Sequence, residues 1–140
     1  MTPRGHMATG GALGVCLATR SIESGAWLIA GLVVAAALAG ARAPDALEIY
    51  RWRNGKRYSL IRHRTLTHWP PAWVALALVL APLIPSDYRL VLMSFLASVA
   101  LHLLLDALTP SGIPLGTPFG RRFSVSLYRT GERWSETKIA

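Results

Sequence analysis

The sequence predicts an all-α integral membrane protein, a single domain built as a bundle of about four transmembrane helices with a cytoplasmic loop and a cytoplasmic tail. Three observations carry that expectation. Charged residues are nearly absent from four apolar blocks and crowd between and after them. The blocks approach the ~20 apolar residues a helix needs to cross roughly 30 Å of hydrocarbon. The basic residues fall almost wholly on alternate connections, as the positive-inside rule requires.

The first block, 5–20, is short and glycine-rich and ends at Arg20, whose long side chain can reach headgroups. The second, 22–41, gains its length by joining residues 22–25 to the uncharged run 27–41. Ala43-Pro44 is expected to end it, since the residue before a proline disfavours the helix. The third block, 70–85, opens on Pro70-Pro71, where a missing N–H costs nothing, and is slightly short. The fourth, 90–108, spans unaided. Three spans with a re-entrant first block is the alternative arrangement.

Orientation follows from the cations. The loop 42–69 holds Arg42, Arg51, Arg53, Lys56, Arg57, Arg62 and Arg64, and the tail 109–140 holds Arg121, Arg122, Arg129, Arg133 and Lys138. With Arg4 that makes 13 of the 15 basic residues, leaving Arg20 and Arg89 for the other side. Both termini and the long loop are therefore expected in the cytoplasm. Trp27, Trp69, Trp73 and Tyr88 stand at block edges, where aromatic rings anchor to the interface. The net charge of +8 is thus a topology signal, which argues against nucleic acid as partner and for membrane lipids. A homo-oligomer stays open. The one cysteine, Cys16, excludes a disulfide framework and reads as a small packed residue.

Between the blocks, Asp45 could cap a short helix over 46–52, and Asn54-Gly55 marks a turn. Residues 109–120, with three prolines and three glycines, cannot be regular helix. Phe123, Val125 and Leu127 then alternate with Ser124 and Ser126, the pattern of a short strand or an interfacial segment.

The chemistry-bearing residues gather at the cytoplasmic ends of the spans. His6 precedes the first block, Asp45 follows the second, His63 and His68 precede the third, and His102 and Asp106 close the fourth. Histidines and carboxylates in such a set suit a divalent metal, zinc or manganese. His102 and Asp106 share a helix face at i,i+4, and ionisable groups in a span usually face a polar interior. Each residue also has a bland reading: a His–Asp clasp between helices, a cap for Asp45, a solvated loop for His63 and His68, and an expression-tag remnant for His6. His63 and His68 would lie about 140° apart on a helix, so they converge only through a turn, with Thr65 or Thr67 as N-cap.

Gly5-His6, Pro44-Asp45, His63-Arg64-Thr65-Leu66-Thr67-His68 and His102 through Asp106-Ala107-Leu108-Thr109-Pro110-Ser111-Gly112-Ile113-Pro114 together resemble the YdjM-type membrane-bound metal-dependent hydrolases of bacterial inner membranes, over about residues 5–123. The resemblance implies a shared metal site with His6, Asp45, His63, His68, His102 and Asp106 as ligands, and Asp45, His63 and Asp106 among the catalytic groups. It implies hydrolysis of an ester or phosphoester, lipids included, at the cytoplasmic surface, where the arginine-rich loop and tail would hold a phosphate. The family's Pro-Asp-x-Asp departs here to Pro44-Asp45-Ala46-Leu47, which puts a two-metal site in doubt, with Glu48 a substitute from the next position. Glu132 and Glu136 both fit the family's acidic residue after Thr-Gly. Two rival classes remain: a non-catalytic membrane protein with a structural metal or polar cluster, and a peripheral regulator whose basic loop binds anionic lipid or nucleic acid.

Overall fold

A computed structural model describes residues 2–48, 50–53, 56–59 and 64–128, backbone alone at 50–53 and 56–59. Four α-helices dominate: α1 (Pro3–Glu23), α2 (Trp27–Ala46), α3 (Pro70–Leu80) and α4 (Arg89–Ala107). Two small antiparallel ladders accompany them, β1 (Tyr50–Arg53) with β2 (Lys56–Ser59) and β3 (Ile113–Pro114) with β4 (Arg122–Phe123). Two 3₁₀ turns, Leu66–His68 and Ser86–Tyr88, lead into α3 and α4.

Among the described residues, two helices are long and apolar enough to cross a membrane, Trp27–Ala46 and Ser86–Ala107. The boundary between the first two blocks differs from the sequence expectation. Residue 22 belongs to α1, which closes through Ser24 N–H donating to Arg20 O (3.1 Å) and a left-handed Gly25 at φ +75°, a usual helix ending. The second helix gains its length at the other end, running through Pro44 to Ala46. Proline removes one N–H there, but only two more residues follow, so a single carbonyl loses its bond. The expected short helix is not found among the described residues there; residues 50–53 pair as β1 with β2. The Asn54-Gly55 turn lies outside the described residues. The third helix is 11 residues, ending before Pro82, whose ring cannot continue the ladder.

The helices pack through small side chains. A Cβ on Gly10 would stand 2.5 Å from Ala41 Cβ, one on Gly14 2.7 Å from Ala37 Cβ, and one on Gly40 would overlap the Phe95 carbonyl oxygen. Close backbone approach of this kind is how helices associate where lipid removes the hydrophobic drive between them. The outward surface carries the large apolar side chains instead: Leu28, Leu78 and Leu83 are at least 70% exposed, with Val15, Met93 and Leu104 also outward. An interior rich in small and polar side chains beside Val33, Trp73, Val99 and Leu103, with many large aliphatic ones outward, differs from a water-soluble core. Cys16 is exposed rather than packed, on this outer surface. Trp27 and Tyr88 are exposed as interface anchors would be, whereas Trp73 is buried and donates its Nε1–H to Thr67 O at 2.8 Å.

Candidate metal centre

Each functional side chain arrives from a helix end. His6 is in the first turns of α1, Asp45 in the last turn of α2, His68 ends the turn before α3, and His102 and Asp106 lie one turn apart at the end of α4. Gly10 against Ala41 and Gly14 against Ala37 run α1 antiparallel to α2; Val33 beside Ser94 and Ala41 beside His102 run α2 parallel to α4. The packing therefore gathers all five groups at one end of the bundle.

Four atoms form its centre. His68 Nε2 lies 3.4 Å from Asp45 Oδ1 and 3.4 Å from Asp106 Oδ2. His102 Nε2 lies 3.7 Å from each of the same two oxygens. Donors ~2.0–2.1 Å from a tetrahedral zinc stand about 3.3–3.4 Å from one another, and these four nitrogen–oxygen separations lie close to that.

The tautomer of His102 strengthens the fit. Its Nδ1 is 2.7 Å from the Ala41 carbonyl oxygen. A carbonyl only accepts, so Nδ1 carries the proton and Nε2 presents a lone pair. That Nε2 is buried with no hydrogen-bond partner among the described residues. A lone pair facing two carboxylate oxygens across 3.7 Å, too far for a hydrogen bond, is unfavourable unless a cation lies between them. The ring is held as a histidine ligand usually is, by a backbone acceptor on its other nitrogen.

Asp106 is divided between two duties. Its Oδ1 takes Arg64 Nη2 at 3.0 Å and His6 Nε2 at 3.3 Å, while its Oδ2 faces the two imidazoles. Arg64 is buried, and its Nη1 donates to Thr109 Oγ1 (2.9 Å) and Gly112 O (3.2 Å). Thr109 Oγ1 in turn donates to Asp106 O at 2.7 Å. The backbone of Arg64 is left-handed, φ +57°, a conformation that costs a non-glycine residue about 1–2 kcal/mol and that this network holds in place.

His68 Nδ1 lies 3.1 Å from Thr67 Oγ1 and 3.9 Å from Glu48 Oε1. The Thr67 hydroxyl therefore faces this ring; neither the turn at Leu66–His68 nor α3 has a side-chain cap bond, contrary to the capping expectation. Burial alone would depress the His68 imidazole, but the carboxylates of Asp106 and Asp45 outweigh it and its pKa is raised. His6 stacks on His102, ring centroids 3.7 Å apart at 15°.

Three donor groups could each hold an ion, their ligand atoms within 4.8 Å of one another: His6, Asp45 and His102; His68, His102 and Asp106; Asp45, Glu48 and His68. Of the six residues singled out in the sequence, five come together, while His63 lies outside the described residues, as do Glu132 and Glu136. Glu48 is buried and joins the cluster. Arg64 was read from sequence as a topology charge. Its place inside the His63–His68 motif, two histidines bracketing a single arginine, was the signal of a closer role.

A helical membrane protein with a buried His/Asp cluster able to hold a metal is the class that this fold and site define. The chain matches the family model of the YdjM inner membrane protein over residues 1–139 and belongs to that family. No curated protein and no solved structure matches it.

Proposed function

We propose that this protein is a metal-dependent hydrolase of the bacterial inner membrane, acting on an ester or phosphoester at the cytoplasmic face. The observation that carries the reading is the four-atom centre, with each of two imidazole nitrogens 3.4–3.7 Å from each of two carboxylate oxygens. Asp45, His68, His102 and Asp106 would hold the ion, zinc or manganese. A bound divalent ion supplies Lewis acidity and a water of lowered pKa. Asp45, the member of the set that reaches solvent, is suited to accept a proton through its second oxygen. Arg64 and His6 hold Asp106 turned so that one oxygen serves the centre. The tight burial of His68 and His102 keeps bulk water from their nitrogens.

We infer further that α1 to α4 all lie in the membrane, with both termini, the loop 42–69 and the tail 109–140 in the cytoplasm. The 13-to-2 distribution of cations supports this, as does the gathering of every cluster residue at one end of the bundle. In a Cys16→Ala background, Asn54→Cys and Ser86→Cys should label from opposite sides. Labelling of Asn54→Cys by an impermeant reagent in intact cells would reverse the topology.

A non-catalytic polar clasp is the second reading, favoured by the direct approach of His6 to Asp106 at 3.3 Å. Metal analysis of detergent-purified protein separates the two. The hydrolase reading expects about one tightly held divalent ion per chain, and hydrolysis of a phosphoester panel that a chelator abolishes. A metal-free protein that cannot be loaded would leave the clasp.

A further inference from the structure

We propose that the cavity between the start of α1 and the end of α2 binds a phosphate monoester group, with Arg42 as its cationic anchor. This rests on the hydrolase reading of the adjoining centre and names its substrate class. The cavity, about 150 Å³, is lined by Pro3, His6, Ala41, Arg42, Asp45 and Ala46. One water needs on the order of 10–15 Å³ of such space, so it admits a phosphoryl group with its bridging oxygen and not a whole lipid.

The cluster is reached from this side. The side chain of Asp45 is 36% exposed, while those of His6, His68, His102 and Asp106 are at most 2% exposed. A second cavity, of about 310 Å³, lies between α3 and α4, but Trp73, Val99 and Leu103 are among its apolar lining and it offers an anion nothing.

Among the described residues two arginines flank the centre, and one of them is available. Arg64 spends its fork on Asp106, Thr109 and Gly112. Arg42 is exposed, lines the cavity and forms no ion pair with the described residues. A guanidinium offers paired N–H donors that match phosphoryl oxygens.

His6 narrows the ligand. Its Nε2 faces Asp106 Oδ1 as a donor, since a carboxylate only accepts, so Nδ1 presents a lone pair. That Nδ1 is buried with no hydrogen-bond partner among the described residues, and His6 lines this cavity. A P–OH completes it. A phosphate monoester or inorganic phosphate carries that hydroxyl; a diester does not.

The test titrates inorganic phosphate into the purified full chain by calorimetry, with and without added zinc. The wild type should bind, Arg42→Ala should bind about tenfold more weakly or worse, and Arg42→Lys should fall between, with zinc content equal in all three. Wild-type protein that binds no phosphate, or Arg42→Ala that binds as well as wild type, overturns the proposal. Zinc content in the same samples reports separately on the hydrolase reading. Competition by short-chain phosphatidic acid, with none by phosphatidylglycerol, identifies a lipid headgroup as the source. Phosphate binding that neither lipid displaces identifies a soluble monoester. Equal competition by both lipids overturns the monoester assignment.

Discussion

The middle of the bundle and its polar end solve opposite packing problems. In the middle, helices meet because side chains are missing: Gly10, Gly14 and Gly40 let backbones close to within contact distance, and Ser94 is satisfied by donating to Val33 O at 2.8 Å. At the end, helices are held by large polar side chains that converge on a shared centre, with nitrogens at His6 and His102 left open. The first region is damaged by adding atoms and the second by removing them. In a membrane the first gives association, and the second concentrates groups too costly to keep there without a use.

The largest expected effect follows from removing a nitrogen at the polar end. His102→Ala should lower metal affinity more than 100-fold, beyond the 10–100-fold usual for an outer partner, while the protein stays folded in detergent. His68→Ala should match it, and the double variant should be little worse than either, because the groups act as one unit. Metal titration reads both, and unchanged affinity would erase the distinction between the two regions. Next comes Arg64→Ala, which frees Asp106 to rotate. Affinity should drop about 10–100-fold, with Arg64→Lys recovering part of the loss since it restores charge without the two-armed contact.

Smaller still is the effect of filling space in the middle. Gly40→Ala should destabilise the bundle by about 1–3 kcal/mol, read by denaturant unfolding in detergent; a neutral result would mean that α2 and α4 are not in backbone contact. Ser94→Ala should cost only about 0.6 kcal/mol, the mean for interhelical hydrogen bonds in membranes, and leave metal uptake unchanged.

The helices and the donor set were largely legible because both write themselves into composition. Segregated charge marks a helix in lipid, and a histidine in an apolar run, such as His102 with Asp106 four residues on, has few reasons to be there. Less legible was whatever depends on partners distant in sequence. Pro44 reads locally as a stop, yet α2 passes through it, and the last turn so gained carries Asp45 to His68 and His102. The ladder of 50–53 with 56–59 lacks apolar alternation, so its strands were not visible in the sequence. Arg64 looks like any loop cation until its contacts 42–48 residues away are known. Trp73 sits at a block edge by sequence, but the Thr67 carbonyl draws it inward. Cys16 faces outward because Gly14 and Ala18 occupy the face packed on α2, a rotation that a weakly amphipathic helix does not announce.

His6 lying flat against His102 has a bearing on how the protein is made. These rings are roughly 95 residues apart in sequence, near opposite limits of the helical chain, and at 5–20 residues per second the later one leaves the ribosome on the order of ten seconds after the earlier. For that interval His6 and Asp45 face no finished counterpart. Arrival of α4 brings His102 and Asp106 and so completes the cluster. A nascent chain halted before residue 102 would carry His6 and Asp45 with the cluster still open.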